Sequence, residues 1–217
     1  MRASGRRRIL GALLVLGITA SVLSPRPLGA TVEEQRARLP PPAACKDPIE
    51  GVWLGHYYDA RDRTWYRRSL EIRRTTPGGK ELKGEIVAHF WDGSPKDEKP
   101  PPCRPGNQME QVVRMPSVGK ITADGQLDFG GTSWSAEPPI CRRGGINYAP
   151  DHFTGKVDPA IQEFQSVNND GAQAVNEPNV FRRIRCFEEP APVPPAHVKP
   201  PAFEPPSRSF FSCGAKP

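Results

Sequence analysis

Hydrophobic and polar positions alternate in short runs from residue 51 onward, and no 3.6-residue repeat persists after residue 30. Alternation with period two places successive side chains on opposite faces of a strand. Gly51–Asp59 (GVWLGHYYD) is a first predicted strand. Thr64–Arg74 is a second, with Tyr66, Arg68, Leu70 and Ile72 on one face. Further strands are predicted at 82–91, 109–123, 126–134, His152–Asp158, 161–167 and 179–186. Turn signals separate them: Thr76-Pro77-Gly78-Gly79, Asp124-Gly125 and Asn168-Asn169-Asp170-Gly171. Pro116 lies inside the fourth strand and cannot donate to a ladder, so it marks a bulge, an edge or a break. One bent strand there gives eight strands; a split gives nine. The connections leave no room for crossover helices, which predicts an all-β antiparallel meander closed as a barrel or folded as a sandwich.

The ends of the chain differ from this body. Arg2 and Arg6 to Arg8 precede an apolar stretch, 9–23, and then Pro25, Pro27 and Leu28-Gly29-Ala30. Charge, a short apolar run and small residues form the pattern of a secretory signal peptide over 1–30, cleaved near Ala30. The apolar run is too short to span a bilayer, so no membrane span is expected in the mature chain. Arg6-Arg7 followed by Ile9-Leu10 also fits a twin-arginine signal. Residues 31–44 read as a Pro-rich spacer, 45–189 as the β domain, and 190–217 as a Pro-rich disordered tail.

Charge follows the same division. The 217 residues carry 30 Lys and Arg against 24 Asp and Glu. Five of those basic residues and none of the acids lie in 1–30, so the remainder is almost balanced, at 25 against 24. A nucleic-acid partner, which would need a basic face on the mature domain, is therefore not expected.

Five cysteines in an exported chain suggest two disulfides and one thiol left over, and Cys213, in the tail, is the natural remainder. No C-x₂₋₄-C spacing points to zinc. In a meander, successive connections alternate between the two ends. Eight strands then put Cys45 with Cys186 at one end and Cys103 with Cys141 at the other. Nine strands would instead pair Cys45 with Cys141 and Cys103 with Cys186. The eight-strand pairing is the one expected here. Trp53, flanked by Gly51 and Gly55, is expected to face the core with its N–H on a nearby acceptor.

Candidate chemistry is sparse. His56-Tyr57-Tyr58-Asp59 and His89-Phe90-Trp91-Asp92 each end a strand as His-aromatic-aromatic-Asp, and the two strands run the same way. His56, Tyr57, Asp59, His89, Trp91 and Asp92 thus gather at one pole, where ring faces and a few polar groups suit a small ligand or a glycan. The plainer reading is structural, since aromatics favour strands and Asp favours turn starts. Trp91 is the expected ligand contact of the pair Trp53 and Trp91. Arg67-Arg68 and Arg182-Arg183 read as cross-strand partners of acids or as solvated edge residues. No nucleophile elbow, phosphate loop or His-x-His metal spacing occurs, so no catalytic residue, metal or cofactor is nominated.

Ile49-Glu50-Gly51-Val52-Trp53 resembles the Gly-x-Trp opening of lipocalin-like barrels. The resemblance implies an eight-stranded meander that binds a small apolar ligand, and it favours a barrel over a sandwich. The expectation is an exported, non-enzymatic β domain of the bacterial envelope or extracellular space, with a binding or structural role. The alternative is a secreted hydrolase acting on envelope polysaccharide.

Overall fold

A computed structural model of the chain describes residues 30–103, 109–138, 141, 146–172 and 174–187. The expected signal peptide, the Pro-rich tail and Cys213 lie outside these, apart from Ala30. The elements in chain order are α1 (Val32–Arg38), β1 (Gly51–Asp59), β2 (Thr64–Arg74), β3 (Glu81–Asp92), β4 (Glu110–Ile121), β5 (Leu127–Gly131), β6 (Ser135–Ala136), β7 (His152–Asp158), β8 (Glu163–Asn169) and β9 (Val175–Arg185). Each barrel strand pairs antiparallel with its neighbours in sequence, except that β5 pairs with β7 across the short β6. β9 returns to pair with β1 and closes an eight-strand barrel, while β6 only extends the edge of β4.

Pro116 neither breaks nor bulges β4: it sits in register opposite Glu85. Its carbonyl accepts from the Thr132 N–H at 2.8 Å. On that side β5 ends at Gly131 and β6 begins at Ser135, so the missing N–H falls in a gap between two ladders. The tight turn between β4 and β5 uses Gly125 at φ 76°, a conformation that costs glycine little. The strand expected over 161–167 starts later, at Glu163, because Gln162 turns the chain at φ 56° and leaves Ile161 exposed.

Residues 31–44 are not the plain spacer expected. Thr31 and Glu34 form a capping box: the Thr31 hydroxyl accepts from Glu34 N–H, and the Glu34 carboxylate accepts from Thr31 N–H. The two-turn helix α1 lies across β9. The β1–β9 ladder covers only Val52 to Leu54 on β1, which leaves the edge of β9 open further along. Gln35 fills that edge, donating to the Pro178 carbonyl at 2.8 Å and accepting from Val180 N–H at 2.9 Å. Leu39, Leu54 and Val180 pack beneath it.

One end of the barrel is filled. Trp53 is fully buried, and its indole N–H donates to the Ile49 carbonyl at 2.9 Å, as expected. Leu70, Ile72, Ile86, Phe129, Phe153, Phe164 and Phe181 complete this core. The space left by Gly55 is taken by the Phe181 ring, 2.9 Å from where a Cβ would stand. Arg183 corrects the surface reading: it is 0 % exposed and its guanidinium lies 4.9 Å from the Trp53 ring centroid. It donates to Gln162 and to the carbonyls of Asp47 and Glu50, which close the barrel floor. Burial lowers its pKa from the usual arginine value. The disulfides are Cys45–Cys186, at this closed end, and Cys103–Cys141, at the other, as strand parity requires.

Candidate functional site: the open mouth of the barrel

The end of the barrel opposite Trp53 opens into a cavity of about 750 Å³. Its walls come from β1, β2, β3 and β9 and its rim from the β1–β2 turn and the segments preceding β4, β7 and β9. Strand alternation decides which of the six expected residues reach it. Tyr57, Asp59 and Asp92 share the inward face with Tyr66 and Phe90. Asp59 and Asp92 line the cavity, and the buried Tyr57 ring packs against Tyr66 just below it, at 5.3 Å between centroids.

His56, His89 and Trp91 fall on the opposite parity and lie outside the barrel wall. Trp91 is 1 % exposed and stacks near Trp65 at 6.2 Å, with Tyr58 alongside. The segment after β3 covers this cluster. The indole N–H groups of Trp65 and Trp91 donate to the carbonyls of Ser94 and Asp97, and the Tyr58 hydroxyl donates to Gly93. Trp91 therefore anchors a loop and is not the ligand contact expected. The His56 ring lies 5.0 Å from Trp65. Its buried Nε2 has no hydrogen-bond partner. Burial, and then the charge of Arg67, push its pKa down to about 4. His89 faces Glu110, with 2.9 Å between Nε2 and Oε1.

The floor of the cavity is a polar network that sequence reasoning missed. Arg68, read as a surface residue, is 5 % exposed and pairs with Asp151 at 3.1 Å. Its Nη1 also donates to the Tyr57 hydroxyl and to Asn179 Oδ1. Asp151 accepts in addition from the Tyr148 hydroxyl and from Asn168 Nδ2, each at 2.6 Å. Burial acts against the Arg68 charge, but Asp151 and the phenols around it prevail and raise its pKa above the usual arginine value. Burial pushes the phenols of Tyr57 and Tyr148 upward, and that of Tyr66 to about 12. The signal for Arg68 was present in its place between Tyr66 and Leu70 on a buried face; nothing local marked Asp151.

Above the floor, Tyr66, Phe90 and Tyr148 form a continuous aromatic wall, with centroids 6.0 and 5.8 Å apart. Arg61, in the β1–β2 turn, bridges Asp59 at 2.8 Å and Glu177 at 3.1 Å. Glu177 also accepts from the Tyr57 hydroxyl at 3.2 Å. Burial raises the Glu177 carboxyl pKa. The arrangement offers ring faces, carboxylate acceptors and depth for a small molecule. Among the described residues, the side chains close enough to share a metal ion are Cys103, Glu110 and Cys141, whose sulfurs are bonded to each other.

No family model, curated protein or solved structure matches the chain. The likeness to lipocalin-like barrels rests on the Gly-x-Trp residues of β1 and on the strand count.

Proposed function

We propose that the chain is an exported, non-enzymatic binding domain that holds a small polar ligand in the mouth of its barrel. The observation that carries this reading is the division of the interior: apolar side chains, with the one buried Arg183 at the closed end, fill it below Arg68, while above Arg68 it is open, polar and aromatic-walled. A filled barrel with no mouth would need no buried ion pair at mid-height. The ligand expected from the Gly-x-Trp resemblance is apolar, but carboxylates and phenols line this cavity, so a polar molecule fits better. Export is supported by the leader-like N-terminus and by two disulfides.

The test is a set of amide spectra of the ¹⁵N-labelled protein, recorded with mixtures of neutral sugars, amines and carboxylates. Binding at the mouth shifts the amides of Tyr148, Ala172 and Glu177. A complete set that moves no mouth amide refutes the proposal.

One observation favours a second reading, a hydrolase acting on envelope polysaccharide. A glycosidase needs carboxyl groups facing its substrate, and Asp59 and Glu177 stand together beside the cavity, bridged by Arg61, with burial raising the Glu177 carboxyl pKa. Release of reducing ends from polysaccharide by the wild type, abolished in Glu177→Gln, would establish it. Release that persists in Glu177→Gln would remove Glu177 from that role.

A further inference from the structure

The lining of the mouth also speaks to the charge of its occupant. Three rings, Tyr66, Phe90 and Tyr148, line the cavity side by side. Aromatic faces attract cations through the ring quadrupole, most strongly where water is excluded. The protein already uses this attraction one layer deeper. The Arg68 guanidinium lies 4.9 Å from the Tyr66 centroid and 5.4 Å from that of Tyr57.

Carboxylates surround the same space. Arg61 occupies one pair of them, Asp59 and Glu177, although its own side chain is 47 % exposed. Asp151 is matched by Arg68. Asp62, Asp92 and Asp170 also line the cavity and form no salt bridge among the described residues, although Asp62 adds to the negative field around Arg61. The described lining therefore holds six carboxylates and two guanidinium groups, both of which are already paired. An anion entering here would meet no free positive group of this lining. A cation would meet acids and ring faces together.

We infer that the mouth selects a small organic cation, an ammonium or guanidinium compound, and that Arg61 is a built-in competitor for the same seat. This rests on the proposed binding role and names the class of ligand. Arg61 reaches the seat from a turn, and its half-exposed side chain can swing out, which gives a ligand cation access to Asp59 and Glu177.

The experiment compares glucosamine, glucose and glucuronate, which share a ring and differ in charge. Binding is measured by calorimetry on the full chain, in mildly acidic buffer where the amine is protonated. Glucosamine is expected to bind about tenfold more tightly than glucose, the equivalent of one cation–π contact with charge assistance. Glucuronate is expected to bind more weakly than either. Arg61→Ala removes the competitor and should tighten glucosamine severalfold, and more than it changes glucose. Glu177→Gln keeps Arg61 in place and should weaken glucosamine, so the inference does not depend on one variant folding.

Equal affinity for glucose and glucosamine overturns the cation inference and leaves the binding role standing. Weaker glucosamine binding in Arg61→Ala overturns the role given to Arg61. Preference for glucuronate, lost on replacing Arg104, Arg142 and Arg143 by Ala, overturns the inference in favour of an anion; these three lie next to Cys103 and Cys141 in sequence and outside the described residues. Failure of all three sugars to bind, together with silent amides across the ligand set above, overturns both readings.

Discussion

Replacing Asp151 with Asn tests the floor of the mouth most directly. Asp151 is 2 % exposed at its side chain and neutralises an Arg68 whose side chain is 5 % exposed. Its carboxylate also accepts from Tyr148 and Asn168. Asparagine keeps the shape, removes the charge and turns one acceptor into a donor facing other donors. A buried charge stripped of its partner costs about 3–5 kcal/mol, and the value for Arg68 should lie in that range. With a urea dependence of about 2 kcal/mol per molar for a domain of this size, the unfolding midpoint should fall by about 2 M. The double variant Arg68→Met/Asp151→Leu removes both charges and fills the space with apolar atoms. It should lose less stability than Asp151→Asn alone, because no unpaired charge remains. Urea unfolding followed by tryptophan fluorescence measures all three proteins. A loss under about 1 kcal/mol for Asp151→Asn would mean that water reaches Arg68. A double variant worse than the single one would mean that hydrogen bonding to Tyr57 and Asn179, rather than unpaired charge, sets the cost.

Trp53→Ala should cost about 3–5 kcal/mol in the same assay, since it opens a cavity beneath Phe181 and removes the ring over which Arg183 lies; a loss as small as that of an exposed residue would contradict its place in the floor. His56 has a folded pKa of about 4 against 6.5 when unfolded, so the unfolded chain binds the proton first. The stability it contributes is complete above pH 6.5 and is lost as the pH falls to 4, by about 2 kcal/mol after discounting for the partial exposure of the ring. Comparing the pH dependence of stability in wild type and His56→Gln checks this, and identical profiles would refute it. Opening Cys45–Cys186, whose cysteines are separated by 141 positions in sequence, should cost about 1 kcal/mol more than opening Cys103–Cys141, separated by 38. Denaturation of the two Cys→Ser pairs decides, and the reverse order would show that strain or residual structure outweighs loop closure.

Most of the barrel was legible because its information is local. Period-two alternation, Gly-containing turns and connection parity gave the strands, their order and the disulfide pairs. Helix α1 was legible too, in Thr31 and Glu34, but seven residues followed by three prolines carry little periodic signal. The mouth was only half legible. The repeated His-aromatic-aromatic-Asp segments lie at the pole where the cavity opens. The same alternation, applied within those segments, would have separated Tyr57 and Asp59 from His56, and Asp92 from His89 and Trp91. Arg68 reads in sequence as a cross-strand partner of an acid or a solvated edge residue, because arginine is mostly exposed. Its partner, Asp151, lies 83 residues away and meets it only when the barrel closes. No linear pattern encodes such a contact.

The seam between β1 and β9 has a consequence for association. Three ladder pairs, one interrupted by a register shift, close the barrel there. A barrel that opened along this line would present two unsatisfied edges, each ready to accept a strand from another copy. Cys45 and Cys186 stand just beyond the ladder and tie its two sides together covalently, and Gln35 covers the stretch that the ladder leaves bare. Oxidation at this one bridge thus does more than restrict the unfolded chain: it holds closed the seam at which strand exchange would have to start.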